Sequence, residues 1–319
     1  MASLLTVAVL MGGPSEEHDI SLKSGHGVAE ALAHHGWPVE PVVVSKALTV
    51  EQACAFVREA LHRLSPDVAF IALHGTGGED GTIQQVCEDA HVPYTGSGPA
   101  ASRLGMDKVA SRTRFETAGL AVPRWQLLAQ SEARTWPAGW PAPVVVKPIS
   151  QGSSIGVSVV RGPKEWPAAV TAAGRFGWPI LLEAFVEGDE MTVGVLGEGP
   201  LPVVGIRPTR PFFDFTAKYT LGATDYLVPA PLAPTVAVRV QMAGLAAHTA
   251  LGCRHLSRTD MILRPDGTPV ILEVNTVPGF TPTSLVPKAA ACMGLSYEEL
   301  CERLVVMAMQ SASHATRVA

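Results

Sequence analysis

Hydrophobic and polar positions change period several times along the chain. Thr6–Gly13 (TVAVLMGG) is apolar without alternation until a Gly-Gly stop, the mark of a strand buried on both faces. Lys23–Gly36 spaces its apolar residues as a helix that ends at Gly36. Pro38–Lys46 reads as a second strand, Glu51–Leu64 as a second helix and Asp67–Gly75 as a third strand. Strands alternating with helices predict a parallel sheet, and such sheets bind ligands beyond the carboxyl ends of their strands. Two of these strands end in Gly-rich polar loops, at Gly12-Gly13 and His74-Gly75, so chemistry is expected there.

After Val92–Gly98 the pattern changes. A helix is expected from Pro99 to Gly119, followed by a Pro- and Trp-rich linker from Pro123 to Pro143. Val144–Val160 reads as two strands around a Gly/Ser loop, a hairpin in a small antiparallel lobe. A third portion begins near Ile180, with strands at Ile180–Val186, Glu190–Leu196 and Pro269–Asn275. Tyr297–Met309 is an amphipathic helix. The irregular stretch Pro208–Pro231 is long enough to imply a functional loop.

Composition narrows the class. A chain of 319 residues, 47% hydrophobic and 17% charged, suits two or three lobes with sizeable cores. A net charge of -5 with no basic stripe argues against a nucleic-acid partner. No apolar run approaches the ~20 residues that span a bilayer, and Leu4–Met11 lacks the basic flank of a signal peptide. Five cysteines without a CxxC pair read as reduced thiols of a cytoplasmic protein. Lysines number seven against seventeen arginines, so the position of each carries weight.

Four segments carry candidate chemistry. The loop Ser150–Gly156 follows Lys147; its glycines let backbone N–H groups approach a phosphate and its serines add donors, although a plain hairpin turn has the same composition. Arg258 with Asp260, and Glu273 with Asn275, are alternate residues on strands, so each pair points to one side of an otherwise apolar segment. Carboxylate and amide oxygens are the hard ligands Mg²⁺ takes beside phosphate, whereas a salt bridge from Arg258 to either carboxylate would be purely structural. His74–Gly81 is a Gly-rich turn in which Asp80 suits a helix N-cap. Glu16 and Glu17 after the first strand either complement a helix dipole or, in one case, hold a substrate ammonium. Gly96–Ala101 fits a loose dinucleotide fingerprint, but Pro99 removes an N–H that a pyrophosphate would use.

The segments GGPSEEHDIS, LHGTGGEDGTIQ, PYTGSG, MDK, VVVKP, GSSIGVS, AKY, RTDMIL and LEVNTVPGFTPTSLVP occur in an order and spacing that resembles the D-alanine–D-alanine ligases of the ATP-grasp superfamily, from about residue 5 to about residue 305. The resemblance implies an α/β, three-lobed ATP-grasp fold. Its lobes would be a Rossmann-like parallel-sheet domain (1–100), a central subdomain (101–182) and a C-terminal subdomain (183–319). It implies ATP and two Mg²⁺ as cofactors, with Mn²⁺ able to substitute, D-alanine as substrate, and a homodimer.

Carried over position by position, the resemblance assigns Lys108 and Lys147 to phosphates, Glu183 to the adenine amino group and Glu190 to the ribose. Ser154 lies in the phosphate-closing loop, and Asp260, Glu273 and Asn275 bind the metal ions. Glu17 holds the ammonium of the first D-alanine, with His74 near its carboxylate. Arg258 and Gly279 stabilise an oxyanion, and Ser284 and Leu285 receive the carboxylate of the second substrate. Lys218 and Tyr219 sit on a lid, with Tyr219 linked to Ser153 and Glu17. Three of the seven lysines then fall on anion contacts, and Pro208–Pro231 becomes the lid. Thr283 stands where some members carry His. Tyr219 stands where a ligase for a hydroxy-acid acceptor would differ, which favours an amine acceptor, D-alanine before D-serine or D-lactate. A nucleotide sensor on a degenerate copy of the fold would lack a metal ligand or Arg258, and a dehydrogenase would carry a proper fingerprint.

Overall fold

The computed structural model describes residues 5–208, 222 and 224–318, with 312–318 by backbone alone. The N-terminal strands Val7–Gly12, Val39–Val44 and Val68–Ile71 form a parallel sheet with the first strand in the centre. Its apolar run without alternation has the expected cause. Val7, Val9 and Met11 face one buried cluster, and Ala8 and Leu10 face another. The helix His18–His34 lies close on the first side because position 25 is glycine: a Cβ there would fall 2.4 Å from that of Met11. The helix Tyr297–Val318 covers the same side, bringing Leu300, Leu304 and Val305 into the first cluster, so the chain's last helix completes the core of its first domain.

The single helix expected over Pro99–Gly119 is two, Pro99–Met106 and Lys108–Thr117. Asp107 between them is extended (φ -85°, ψ 104°), and its carboxylate accepts from the N–H groups of Val109 and Ala110 at 2.9 and 3.0 Å. A side chain that competes for backbone donors starts a new helix here, and the restart turns Lys108 inward, where it is buried.

The central sheet is antiparallel, in the order Trp125–Leu128, Ile180–Ala184, Val144–Lys147, Ser158–Val160. The expected hairpin is present. The Pro/Trp-rich linker contributes the edge strand Trp125–Leu128, and Ile180–Ala184 pairs here instead of in the third portion. Trp140 and Trp166 fill the core between this sheet and the helix Trp166–Gly174.

The third sheet orders Thr224–Leu227, Val204–Pro208, Asp189–Leu196, Leu256–Leu263 and Pro269–Asn275, all antiparallel. Thr224–Leu227 falls within the stretch expected to be irregular; residues 209–221 and 223 of that stretch lie outside the described residues. Met191, Val193, Met261 and Ile271 pack against the helix Pro234–Leu251 on one face of this sheet, which leaves the other for chemistry. Among the described residues, no helix is long and apolar enough to cross a membrane.

Candidate active site

Cross-strand partners in an antiparallel ladder share a face. The registers Arg258↔Asn275, Asp260↔Glu273 and Asp260↔Thr192 therefore put Arg258, Asp260, Glu273, Asn275 and Thr192 on the open face of the third sheet. Glu190 lies two residues before Thr192 on the same side. Strict alternation would also turn Ile271 to this face. A register shift after Asp260 skips Leu272, and Ile271 drops into the core beside Met261. The bulge thus lets one short strand serve an apolar core at one end and present Glu273 and Asn275 at the other.

Asp260 is held by four donors. Arg258 Nε donates to Oδ1 and Nη2 to Oδ2, each at 2.8 Å; Thr192 Oγ1 donates to Oδ1 at 2.6 Å and Asn275 Nδ2 to Oδ2 at 3.1 Å. The structural pairing of Arg258 with Asp260 is therefore real, and it coexists with a set of oxygen ligands. Asn275 spends its amide nitrogen on Asp260, so its oxygen is the atom it has for a cation. Two carboxylates facing across one ladder, with an amide oxygen beside them, fit a divalent hard cation.

Lysines meet this face from two other elements. Lys108 Nζ lies 3.5 Å from Glu273 Oε2 and donates to Gln151 O at 2.6 Å, which ties the Gly/Ser loop to the strand Pro269–Asn275. Lys147 Nζ lies 2.7 Å from Glu183 Oε2, and Arg112 pairs with the other Glu183 oxygen. Burial, and after it the charges of Arg112 and Lys108, bring the Lys147 ammonium down to about 8 against the pull of Glu183.

The same loop reaches the N-terminal domain. Ser153 Oγ donates to Glu17 Oε1, and Ser153 and Ser154 take φ of 51° and 59°, the left-handed region. Gly152 lies against two acids: a Cβ there would be 3.2 Å from Glu17 Oε2 and 3.6 Å from Glu79 Oε1. The Glu79 carboxyl is held well above the usual range, by burial first and then by the charges of Glu17 and Glu273.

His74 is buried, and both ring nitrogens have protein partners, Nδ1 with Val277 O at 3.0 Å and Nε2 with Ser24 Oγ at 3.2 Å. A carbonyl accepts only, so Nδ1 carries the proton and Ser24 donates to Nε2. Burial lowers the pKa of this ring, in keeping with the neutral form. Ser24 Oγ also accepts from Phe280 N at 3.3 Å, and Tyr297 donates to Phe280 O at 2.7 Å, so the loop carrying Gly279 is pinned on both sides. Ser284 Oγ accepts from Thr281 N at 3.0 Å. Leu285 opens the helix Leu285–Ala291 and, like Tyr226, packs against Ile206.

The structure thus brings together Glu17, Ser153 and Ser154 around the loop, Lys108, Lys147 and Glu183 beneath it, and Glu190, Arg258, Asp260, Glu273 and Asn275 on the sheet. Gly279 sits on the adjoining pinned loop, which leads through Ser284 into the helix opened by Leu285. Lys218 and Tyr219 lie outside the described residues. Sequence reasoning passed over Thr192, Arg112 and Glu79. The signals were present: Thr192 follows Glu190 by two on a strand, and Arg112 follows Lys108 by four on a helix, each on the same face as its neighbour. Glu79 stands in the Gly-rich turn after His74.

Two antiparallel sheets, one carrying Lys147 and the other Asp260 and Glu273, behind a parallel-sheet domain, make up the ATP-grasp class of fold. The family model described as D-ala D-ala ligase C-terminus matches residues 114–306, more than half of the chain, and the one described as D-ala D-ala ligase N-terminus matches residues 49–97. A D-alanine–D-alanine ligase of Anaeromyxobacter sp. (strain Fw109-5) is 44% identical over 304 residues, covering 94% of this chain and 95% of that protein. One from Gluconobacter oxydans is also 44% identical, over 94% of this chain and 98% of its own length. A crystal structure of the Bacillus anthracis D-alanine–D-alanine ligase complexed with ATP superposes with a TM-score of 0.82 at 28% identity, covering 98% of this chain and 99% of that one. The VanG D-Ala:D-Ser ligase of Enterococcus faecalis gives 0.80 at 28%, over 95% and 99%. The chain belongs to the D-alanine–D-alanine ligase family.

Proposed function

We propose that the protein joins two molecules of D-alanine into D-alanyl-D-alanine for peptidoglycan synthesis, converting ATP to ADP and phosphate through D-alanyl phosphate. The observation that carries this reading is the open face of the third sheet, where Arg258, Asp260, Glu273 and Asn275 meet Lys108 and the Ser153 loop. Relatives at 44% identity that bear this activity support the choice of substrate.

In the first step a carboxylate oxygen of one D-alanine attacks the γ-phosphorus and ADP leaves. Both reactants are anions, so cations must gather around them. Lys108 and Lys147 supply charge to the phosphates, the family resemblance adds Lys218, and Ser154 lies in the loop that closes on them. Glu183 meets the adenine amino group and Glu190 the ribose. Asp260, Glu273 and Asn275 would hold two Mg²⁺, or Mn²⁺, whose chemistry is to offset the triphosphate charge. Glu17 holds the ammonium of the first D-alanine, Ser153 ties the loop to the Glu17 carboxylate, and the family resemblance adds Tyr219 to that link. His74, neutral and bonded to the Val277 carbonyl, orients the loop beside the substrate carboxylate.

In the second step the free amine of the other D-alanine attacks the acyl carbon, the oxygen becomes an oxyanion, and phosphate leaves as the amide forms. Arg258 and the Gly279 N–H donate to that oxyanion; losing one such donor costs roughly 3 kcal/mol of barrier. Ser284 and Leu285 receive the second carboxylate. The likeness to a D-Ala:D-Ser ligase makes D-serine the rival acceptor. A cytoplasmic homodimer completes the reading, and gel filtration tests the dimer. Phosphate release with ATP, Mg²⁺ and D-alanine, with L-alanine as control, tests the activity. Release with L-alanine alone would overturn the substrate assignment, and a faster product with D-serine would overturn the acceptor.

A further inference from the structure

Arg112 has no part in these steps, yet it is a fully buried charged side chain at the meeting point of three elements. Nη1 donates to Lys108 O at 3.0 Å within its own helix. Nη2 donates to Leu272 O at 3.3 Å, the residue skipped by the bulge, and pairs with Glu183 Oε1 on the central sheet. A guanidinium taken wholly out of water is costly to keep, and an apolar side chain would serve packing alone. The arrangement has a task that packing does not explain. It puts two cations, Arg112 and Lys147, on one buried carboxylate.

We propose that Arg112 is the positioning residue for base recognition: it holds the Glu183 carboxylate aimed as an acceptor, so that the site selects a 6-aminopurine nucleotide over a 6-oxopurine one. The proposal rests on the reading that Glu183 meets the adenine amino group. A carboxylate oxygen accepts from an amino group and repels a carbonyl oxygen; one turned away from the base discriminates neither. Lys147, the other cation on that carboxylate, cannot be given over to this task, because the phosphates also need it. Arg112 has no such second duty, and its planar fork reaches Lys108 O with one arm while the other meets Leu272 O and Glu183, a fixed geometry that a single ammonium does not reproduce.

The test compares kcat/KM for ATP and for inosine triphosphate, with D-alanine at saturation, in wild type, Arg112→Met, Arg112→Lys and Glu183→Gln. Circular dichroism and thermal melting report folding. The ATP preference is expected to fall roughly tenfold or more in Arg112→Met, as when a specific hydrogen-bonding site loses its order, and less in Arg112→Lys. KM for the first D-alanine should stay within about twofold, because no contact of Arg112 touches Glu17 or its loop. A folded Arg112→Met with the wild-type preference, while Glu183→Gln loses it, would overturn the role of Arg112 and leave Glu183 as the reader. If Glu183→Gln also keeps the preference, the adenine reading falls and the proposal falls with it. Should Arg112→Met not fold, Arg112→Lys decides: a lowered preference supports the proposal and an unchanged one refutes it. A structural residue would lower the melting temperature and leave the choice of base alone.

Discussion

Removing the Thr192 hydroxyl while keeping its shape isolates one support of the Asp260 carboxylate, the proposed metal ligand. Thr192 is buried, and its Oγ1 donates to Asp260 Oδ1 at 2.6 Å, with Thr259 O a more distant acceptor at 3.1 Å. A hydroxyl has one proton, and the shorter bond to the charged oxygen takes it. In Thr192→Val the carboxylate keeps Arg258 and Asn275, so Asp260 is weakened but not orphaned. A hydrogen bond to a charged group contributes about 1.5–3 kcal/mol, and an isosteric exchange opens no cavity, so the loss should be about 2 kcal/mol. For a chain of this size that is a fall of about 3 °C in melting midpoint, read by calorimetry. The second consequence is functional. Partners that orient a metal ligand are worth about 10–100-fold in metal affinity, so the Mg²⁺ concentration for half-maximal ATP turnover should rise about tenfold. Thr192→Ser should restore both. A fall under about 1 °C with an unchanged Mg²⁺ requirement, or a serine variant as impaired as the valine one, would refute the reasoning.

Other outcomes follow from single contacts. The Lys147 ammonium, depressed to about 8, is charged below that pH and neutral above it, so nucleotide affinity should hold from pH 6.5 to 7.5 and fall by up to about tenfold per unit above 8. Calorimetric titration across that range checks it, and a flat profile would count against Lys147 as a phosphate contact. Ser153→Ala removes the hydroxyl that binds Glu17 and should lower kcat/KM for the first D-alanine by about 10–100-fold, most of it in KM. An unchanged KM would separate the loop from that substrate. Gly25→Ala drives a methyl to within 2.4 Å of Met11 and should cost about 1–3 kcal/mol of stability by overpacking, with turnover per folded molecule preserved; thermal melting and active-site titration check the two halves.

The parts of the fold legible in the sequence were those set by local period. Val7–Met11 reads as a doubly buried strand because both of its faces are apolar, and the structure covers both. Arg258 with Asp260, and Glu273 with Asn275, share a face because strands alternate, and pairing then brought the two strands side by side. What escaped depends on competition or on distant partners. The break at Asp107 is a contest between continuing a helix and capping a new one, and the local pattern on either side is helical. The skipped Leu272 is invisible until Ile271 is known to be needed in the core. The strand Trp125–Leu128 sits among prolines and exists through its partner Ile180–Ala184. Arg112 looks like any arginine of a surface helix until Glu183, about 70 residues away in sequence, closes over it.

The most direct test of the account follows an oxygen atom. D-alanine labelled with ¹⁸O in its carboxylate is incubated with the protein, ATP and Mg²⁺, and the dipeptide and phosphate are weighed by mass spectrometry. Passage through D-alanyl phosphate requires the attacking carboxylate oxygen to leave with the phosphate when the amine displaces it. One ¹⁸O should therefore reach inorganic phosphate for each D-alanyl-D-alanine formed, with none transferred when L-alanine replaces D-alanine. Dipeptide accompanied by unlabelled phosphate, or label transfer from L-alanine alone, would contradict it.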